Sequence, residues 1–267
     1  MLNLVETLEL QDYNATKKAN GIAAPWRFLV QAMLAGAYIG VGVIIMVTAA
    51  GPLLANGSGW AKMVSGLVFP VALTLVVVAG GELVTSSMMT LTQGWARRAI
   101  DGKQWGMTLG FTFLANFAGA WVFSVFVWMS KVAGPETPGG QMLESMLKAK
   151  AHESGYEMFG RGVLCNVLVC LAIWSVARLK SETAQLIVVF WCIMAFITSG
   201  FEHVVANMTT YAVGMLSGYE GATVGHYATN MLYVGLGNLV GGAMVGLAYV
   251  SSTKRKEKIK DEAAPAA

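Results

Sequence analysis

Two apolar runs in this chain are too long for what they must cross. Residues 63–95 and 183–216 extend for 33 and 34 residues. As continuous helix at about 1.5 Å per residue each would reach about 50 Å, against a hydrocarbon core of roughly 30 Å in a bilayer. Each run carries its only charged residues at a glycine-containing interruption, Gly80-Gly81-Glu82 in the first and Gly200-Phe201-Glu202-His203 in the second. An apolar helix broken at mid-depth frees backbone N–H and C=O groups. Hydrocarbon tolerates these only where they are buried in protein or line a wet cavity. The rest of the chain must therefore fold around the two breaks.

Four further apolar runs, at about 28–50, 105–130, 158–177 and 228–250, bring the spans to six. The composition agrees. Only 12% of the residues are charged and 55% are hydrophobic, which leaves too few charges to cover a water-soluble surface. Tryptophans such as Trp26, Trp60, Trp105 and Trp128 mark span ends, where amphipathic rings favour the headgroup layer. With both termini in the cytoplasm, five of the eighteen Lys and Arg residues face outward: Lys62, Lys131, Lys148, Lys150 and Arg161. The other thirteen face inward, so the positive-inside rule selects N-in and C-in with six spans, in a cell inner (plasma) membrane.

The chain divides into residues 1–27, a six-span domain at 28–250 and a basic tail at 251–267. Residues 1–20 mix Glu6, Glu9, Asp12, Lys17 and Lys18 with leucines. This reads as a short amphipathic cytoplasmic helix on the membrane surface rather than a cleavable signal. Lys254 to Lys260 form a cytoplasmic anchor beside anionic membrane lipid. Cys165, Cys170 and Cys192 fit no metal or redox spacing and read as small hydrophobes. No cofactor or metal motif is present, and no basic cluster with interleaved aromatics points to nucleic acid.

The breaks resemble each other. At an offset of 120, Gly80, Glu82, Val84 and Met88 fall on Gly200, Glu202, Val204 and Met208. At 122, Leu114, Asn116 and Gly119 fall on Leu236, Asn238 and Gly241. The halves, about 28–130 and 158–250, each hold three spans, so the second enters from the opposite side. Matching interruptions in an inverted repeat point to a pathway at the midplane. Gly36/Gly40, Gly237/Gly241 and Gly242/Gly246 have the spacing that lets helices approach closely, within or between protomers.

His203 is the one histidine within a span, and an ionisable side chain at that depth marks a functional site. Glu82 and Glu202 read as structural carboxylates that take hydrogen bonds from backbone N–H groups freed at the breaks. No HExxH, nucleophile elbow or P-loop accompanies them, so an intramembrane enzyme using His203 and Glu202 is the weaker alternative. A water, glycerol or ammonia pore of similar architecture is another.

Gly200-Phe201-Glu202-His203 with Ala206-Asn207-Met208 resembles the fifth-helix signature of the formate/nitrite transporter family. Arg161 to Asn166 with Leu168 to Ala172, Gly80 to Thr85, and Gly237-Asn238 with Gly241-Gly242 are similar to its fourth, second and sixth spans. Ala32 to Gly40 and Trp191-Cys192 with Ala195 to Ile197 look most like the nitrite-channel branch. The resemblance implies an all-α, aquaporin-like fold of six transmembrane helices in two inverted three-helix repeats, with helices 2 and 5 broken. It implies a homopentamer with one pore per protomer, carrying nitrite, or alternatively formate or hydrosulfide, and no catalysis. Carried onto this chain, it puts the central pore histidine at His203 beside Glu202, and a loop threonine at Thr85. Apolar constrictions fall on Phe69, Leu73, Leu83 and Phe196, pore asparagines on Asn166 and Asn238, and a lysine on Lys150. Val84 stands where many relatives carry phenylalanine. His203 then either protonates the anion or offsets its charge, and Lys150 and Arg161 draw anions from outside.

Overall fold

Capping residues set most helix ends outside the apolar runs. In the computed structural model, which describes residues 1–253, Asn3 and Glu6 close a reciprocal box at the start of α1 (Leu4–Gly21). Asp101 and Gln104 do the same for α6 (Gly102–Ser130), as do Ser154 and Glu157 for α8 (Gly155–Arg178). Each box satisfies two of the N–H groups that a helix start leaves unpaired. Thr137 caps α7 (Pro138–Ala151), Ser181 caps α9 (Glu182–Ser199) and Thr223 caps α11 (Val224–Ser251). The first span, α2 (Pro25–Ala55), starts on a proline, whose missing N–H costs nothing there. The basic residues from Lys254 onward lie outside the described residues.

Both long runs break where the glycines stand. The first comprises α3 (Ala61–Val68), α4 (Val71–Leu75) and a wide π turn at Val76–Gly80, then extended backbone, then α5 (Val84–Ala96). The second is α9, which stops at Gly200 with φ +74°, followed by α10 (Val204–Ser217). Gly80 likewise has φ +84°, a backbone that only glycine adopts without strain. Among the described residues, six apolar helices are long enough to cross a membrane.

The repeat is visible in the packing. α2 crosses α6 where a Cβ on Gly119 would lie 1.9 Å from the Met33 carbonyl oxygen. α8 crosses α11 where a Cβ on Gly241 would lie 2.4 Å from that of Val163. Gly119 and Gly241 are repeat partners, so the sequence's small-residue spacing serves crossings within one protomer.

The repeat also reaches further than the spans. The stretch between the halves contains α7, and α7 is the counterpart of α1. α1 packs on α5 and α8, whereas α7 packs on α10 and α2, their repeat equivalents. The two helices cover opposite ends of the bundle, the α1 face and the α7 face. The N-terminal helix packs on protein along one side. Its inward side, Thr7, Leu8, Gln11, Ala15 and Ala19, is buried against protein. The Gln11 amide oxygen accepts from the Thr90 hydroxyl at 3.0 Å, and the Asp12 carboxylate accepts from Arg97 Nε, at 2.8 and 3.0 Å to its two oxygens.

Candidate functional site

An interrupted helix has to satisfy its backbone from elsewhere, and here one asparagine serves each break. Asn116 Oδ1 accepts from Val84 N–H at 2.9 Å, while its Nδ2 donates to the carbonyls of Ala32 and Glu82. Asn238 Oδ1 accepts from Val204 N–H, also at 2.9 Å, and its Nδ2 donates to Gly162 and Glu202. Glu82 N–H is taken by the Gln31 carbonyl and Glu202 N–H by that of Arg161. The sequence assigned these N–H groups to Glu82 and Glu202, and that is corrected. A neutral amide donates and accepts at once, so it clasps both sides of a break, which an ionised carboxylate cannot do.

The two glutamates are ion-paired instead. Lys150, in the last turn of α7, donates to both carboxylate oxygens of Glu202 at 2.5 Å, and the pair is almost fully buried. Asn207 Nδ2 fixes the same carboxylate at 2.6 Å and passes on to Asn230 Oδ1 at 2.8 Å. On the other face Lys18 of α1 pairs with Glu82 in the same relation. Lys18, Glu82 and Asn116 thus join the arrangement, although sequence reasoning gave none of them a place in the site. The signal was the repeat itself, which pairs Glu82 with Glu202 and Asn116 with Asn238.

His203 caps α10 with its own ring. Nδ1 accepts from Ala206 N–H at 3.2 Å, and Nε2 lies 3.1 Å from the Thr85 hydroxyl across the two breaks. An Nδ1 that accepts carries no proton. The network therefore assigns the neutral tautomer with hydrogen on Nε2, donating to Thr85 Oγ1. Phe196 stacks on the imidazole, with centroids 6.0 Å apart and planes 21° apart, and Phe69 meets Phe196 edge-on at 5.8 Å.

Two cavities approach this group from opposite faces. One of about 340 Å³ on the α7 face runs from Lys62 and Ser145 past Lys150 and Glu202 and ends on Phe69, Phe196 and His203. The other, about 400 Å³ on the α1 face, is lined by Gln11, Lys18, Gln31, Glu82 and Thr90. Leu73, Leu83 and Thr85 line neither cavity and are buried between them. Of the residues singled out from sequence, Lys150, Glu202, His203, Phe69 and Phe196 thus share one cavity, and Thr85 joins them through His203. Asn166 and Asn238 are fully buried behind the breaks, and Asn166 Nδ2 donates to the carbonyls of Thr85 and Asn238. Val84 turns away, onto a shallow apolar groove with Met88, Leu109 and Phe113. No cluster of three or more metal-binding side chains occurs among the described residues.

Comparison with known proteins gives this geometry a context. A model of the family described as formate/nitrite transporter matches residues 5–251. The chain is 38% identical over 243 residues to the nitrite transporter NirC of Escherichia coli (strain K12), covering 88% of this chain and 86% of the relative. Among solved structures, an FNT family ion channel superposes with a TM-score of 0.88 at 35% identity, covering 93% of this chain and 99% of that one. A pentameric formate channel with formate bound superposes with a TM-score of 0.74 at 25% identity, covering 86% and 98%. Six membrane-capable helices, two clasped breaks and these matches lead to one conclusion: the chain is a multi-pass membrane protein that belongs to the formate/nitrite transporter family, whose members are channels and transporters rather than enzymes.

Proposed function

We propose that each protomer carries a small monovalent anion, nitrite foremost, or its conjugate acid, between the α7-face and α1-face cavities past His203. The observation that carries this reading is the α7-face cavity, which passes a buried cation and ends on His203, with the imidazole–hydroxyl pair and two aromatic rings closing it and a second charged cavity on the α1 face. Nitrite is favoured by the 38% identity to a nitrite transporter. A formate channel of the same architecture is the second reading, supported by the relative that holds formate, and hydrosulfide is a third candidate for the same pore.

A bare anion entering the ring of Phe69, Phe196, Leu73 and Leu83 would shed water for apolar contacts, at a cost of many kcal/mol, whereas the neutral acid crosses far more cheaply. Lys150 holds the anion at the septum's edge while it still has water and can gain a proton. The Nε2–H of His203 and the hydroxyl of Thr85 then offer hydrogen bonds inside the ring, replacing part of the lost hydration. His203 accepts a proton itself only by releasing Ala206 N–H from Nδ1, so the ring works as a neutral donor. Asn166 and Asn238 hold the breaks that carry these groups.

The α1 face is cytoplasmic in this reading. Described Lys and Arg residues on that face include Lys17, Lys18, Arg27, Arg97, Arg98, Lys103, Arg178 and Lys180, against five on the α7 face. The protein resides in the inner (plasma) membrane, in contact with lipid, as a homopentamer like the formate-bound relative. Competitive flux of nitrite, formate, hydrosulfide and glycerol into proteoliposomes tests the reading. Nitrite flux that excess formate reduces and glycerol leaves unchanged supports it. Glycerol flux without anion flux overturns it.

A further inference from the structure

The α7-face cavity has a charged pair behind it, the carboxylate of which is only half paired. Glu153, in the short link between α7 and α8, is largely buried, its side chain 11% exposed. Its Oε1 accepts from Arg161 Nη1 at 2.5 Å, while Oε2 is buried without a hydrogen-bond partner. The repeat equivalent of Arg161 is the uncharged Gln31, since their carbonyls take Glu202 N–H and Glu82 N–H in turn. A half-paired carboxylate in such a place is costly to keep ionised.

Charged groups meet Glu153 from each neighbouring element. Lys150 comes from α7, Glu157 and Arg161 from α8 and Glu202 from the second break, and the Tyr211 hydroxyl of α10 feels its charge. His152 is its chain neighbour. Burial first, then the Glu202 carboxylate, push the Glu153 carboxyl above its ordinary value, while Lys150 and Arg161 pull it back. With both carboxylates ionised, the cations Lys150 and Arg161 are balanced. With Glu153 protonated, the four groups Lys150, Arg161, Glu153 and Glu202 together carry one net positive charge.

We propose that Glu153 is a proton-binding group of the α7-face vestibule, and that its protonation strengthens the vestibule's hold on the anionic substrate. Acid on that face thereby loads the pore before the substrate reaches His203. The inference rests on the anion-channel reading above, and it places a proton-binding group beside the α7-face entrance of a pseudo-symmetric pore.

The test is formate uptake into cells expressing the chain, with internal pH clamped and external pH varied from about 8 to about 5. Glu153→Gln keeps an acceptor for Arg161 and removes the charge. Its KM is expected to be roughly three- to tenfold below wild type at the alkaline end, the scale of one unit charge across a few ångströms of partly wet protein. The two values should converge at the acid end. Taking the ratio of KM values cancels the substrate's own titration, and Glu153→Asp, which keeps the charge, should follow wild type. A ratio of one at every pH, or a ratio that does not change with pH, overturns the proposal. So does the same convergence in Glu157→Gln, whose carboxylate is exposed. Wild-type cells that take up no anion at all contradict the channel reading instead, so the two failures are distinguishable.

Discussion

The hydroxyl of Thr85, on the half-helix after the first break, stands 3.1 Å from Nε2 of His203 at the start of the half-helix after the second. This contact joins the two repeats at the septum. Thr85→Val keeps the volume and leaves Nε2–H buried without an acceptor, a loss of about 1–3 kcal/mol. We expect lower anion flux and lower thermal stability in Thr85→Val, with both restored in Thr85→Ser. Equal flux in Thr85→Val and wild type would show that the contact plays no part in passage.

Asn116 and Asn238 clasp their breaks with the same three bonds. Asn116→Ala and Asn238→Ala should therefore cost similar amounts, each about 2–5 kcal/mol once several buried backbone groups lose partners. Thermal unfolding in detergent measures this. A large loss in one variant beside none in the other would mean that the clasps are not equivalent.

Lys150 and Glu202 test the meaning of a buried ion pair. Lys150→Ala leaves an uncompensated carboxylate and should destabilise by about 3–5 kcal/mol, whereas Lys150→Met combined with Glu202→Gln should recover much of that. If Lys150 also holds the anion, the double variant folds but shows a raised KM at low nitrite, with maximal flux less affected. An unchanged KM in the folded double variant would reduce Lys150 to a structural partner of Glu202.

Much of this was legible in the sequence, and the reasons differ by feature. The breaks announced themselves because glycine and charge interrupt runs that are otherwise too long and too apolar to tolerate either. His203 stood out because nothing else in its span titrates near neutrality. The roles of Glu82 and Glu202 were not legible. Their partners, Lys18 and Lys150, lie 64 and 52 residues away in sequence, on helices whose amphipathic pattern does not say whether protein or lipid covers them. α7 was missed for the same reason, since a polar helix of 14 residues does not register beside six membrane spans. The capping role of His203 was hidden too, because histidine is not among the residues that usually cap a helix.

The docking of α1 is likewise open to test. Arg97→Ala removes the paired bonds to Asp12, whose side chains are largely shielded, and should loosen the helix by about 1 kcal/mol. Hydrogen exchange across residues 4–21 should then run several-fold faster, with protection elsewhere unchanged. Equal protection in both proteins would show that Gln11, Lys18 and the buried alanines hold α1 without it.

Nitrite influx into proteoliposomes under a defined pH gradient, compared between wild type and His203→Ala, addresses the septum most directly. If the imidazole governs passage through the ring of Phe69, Leu73, Leu83 and Phe196, His203→Ala lowers flux by at least about tenfold, equivalent to about 1.4 kcal/mol of barrier. Influx at the wild-type rate would contradict it.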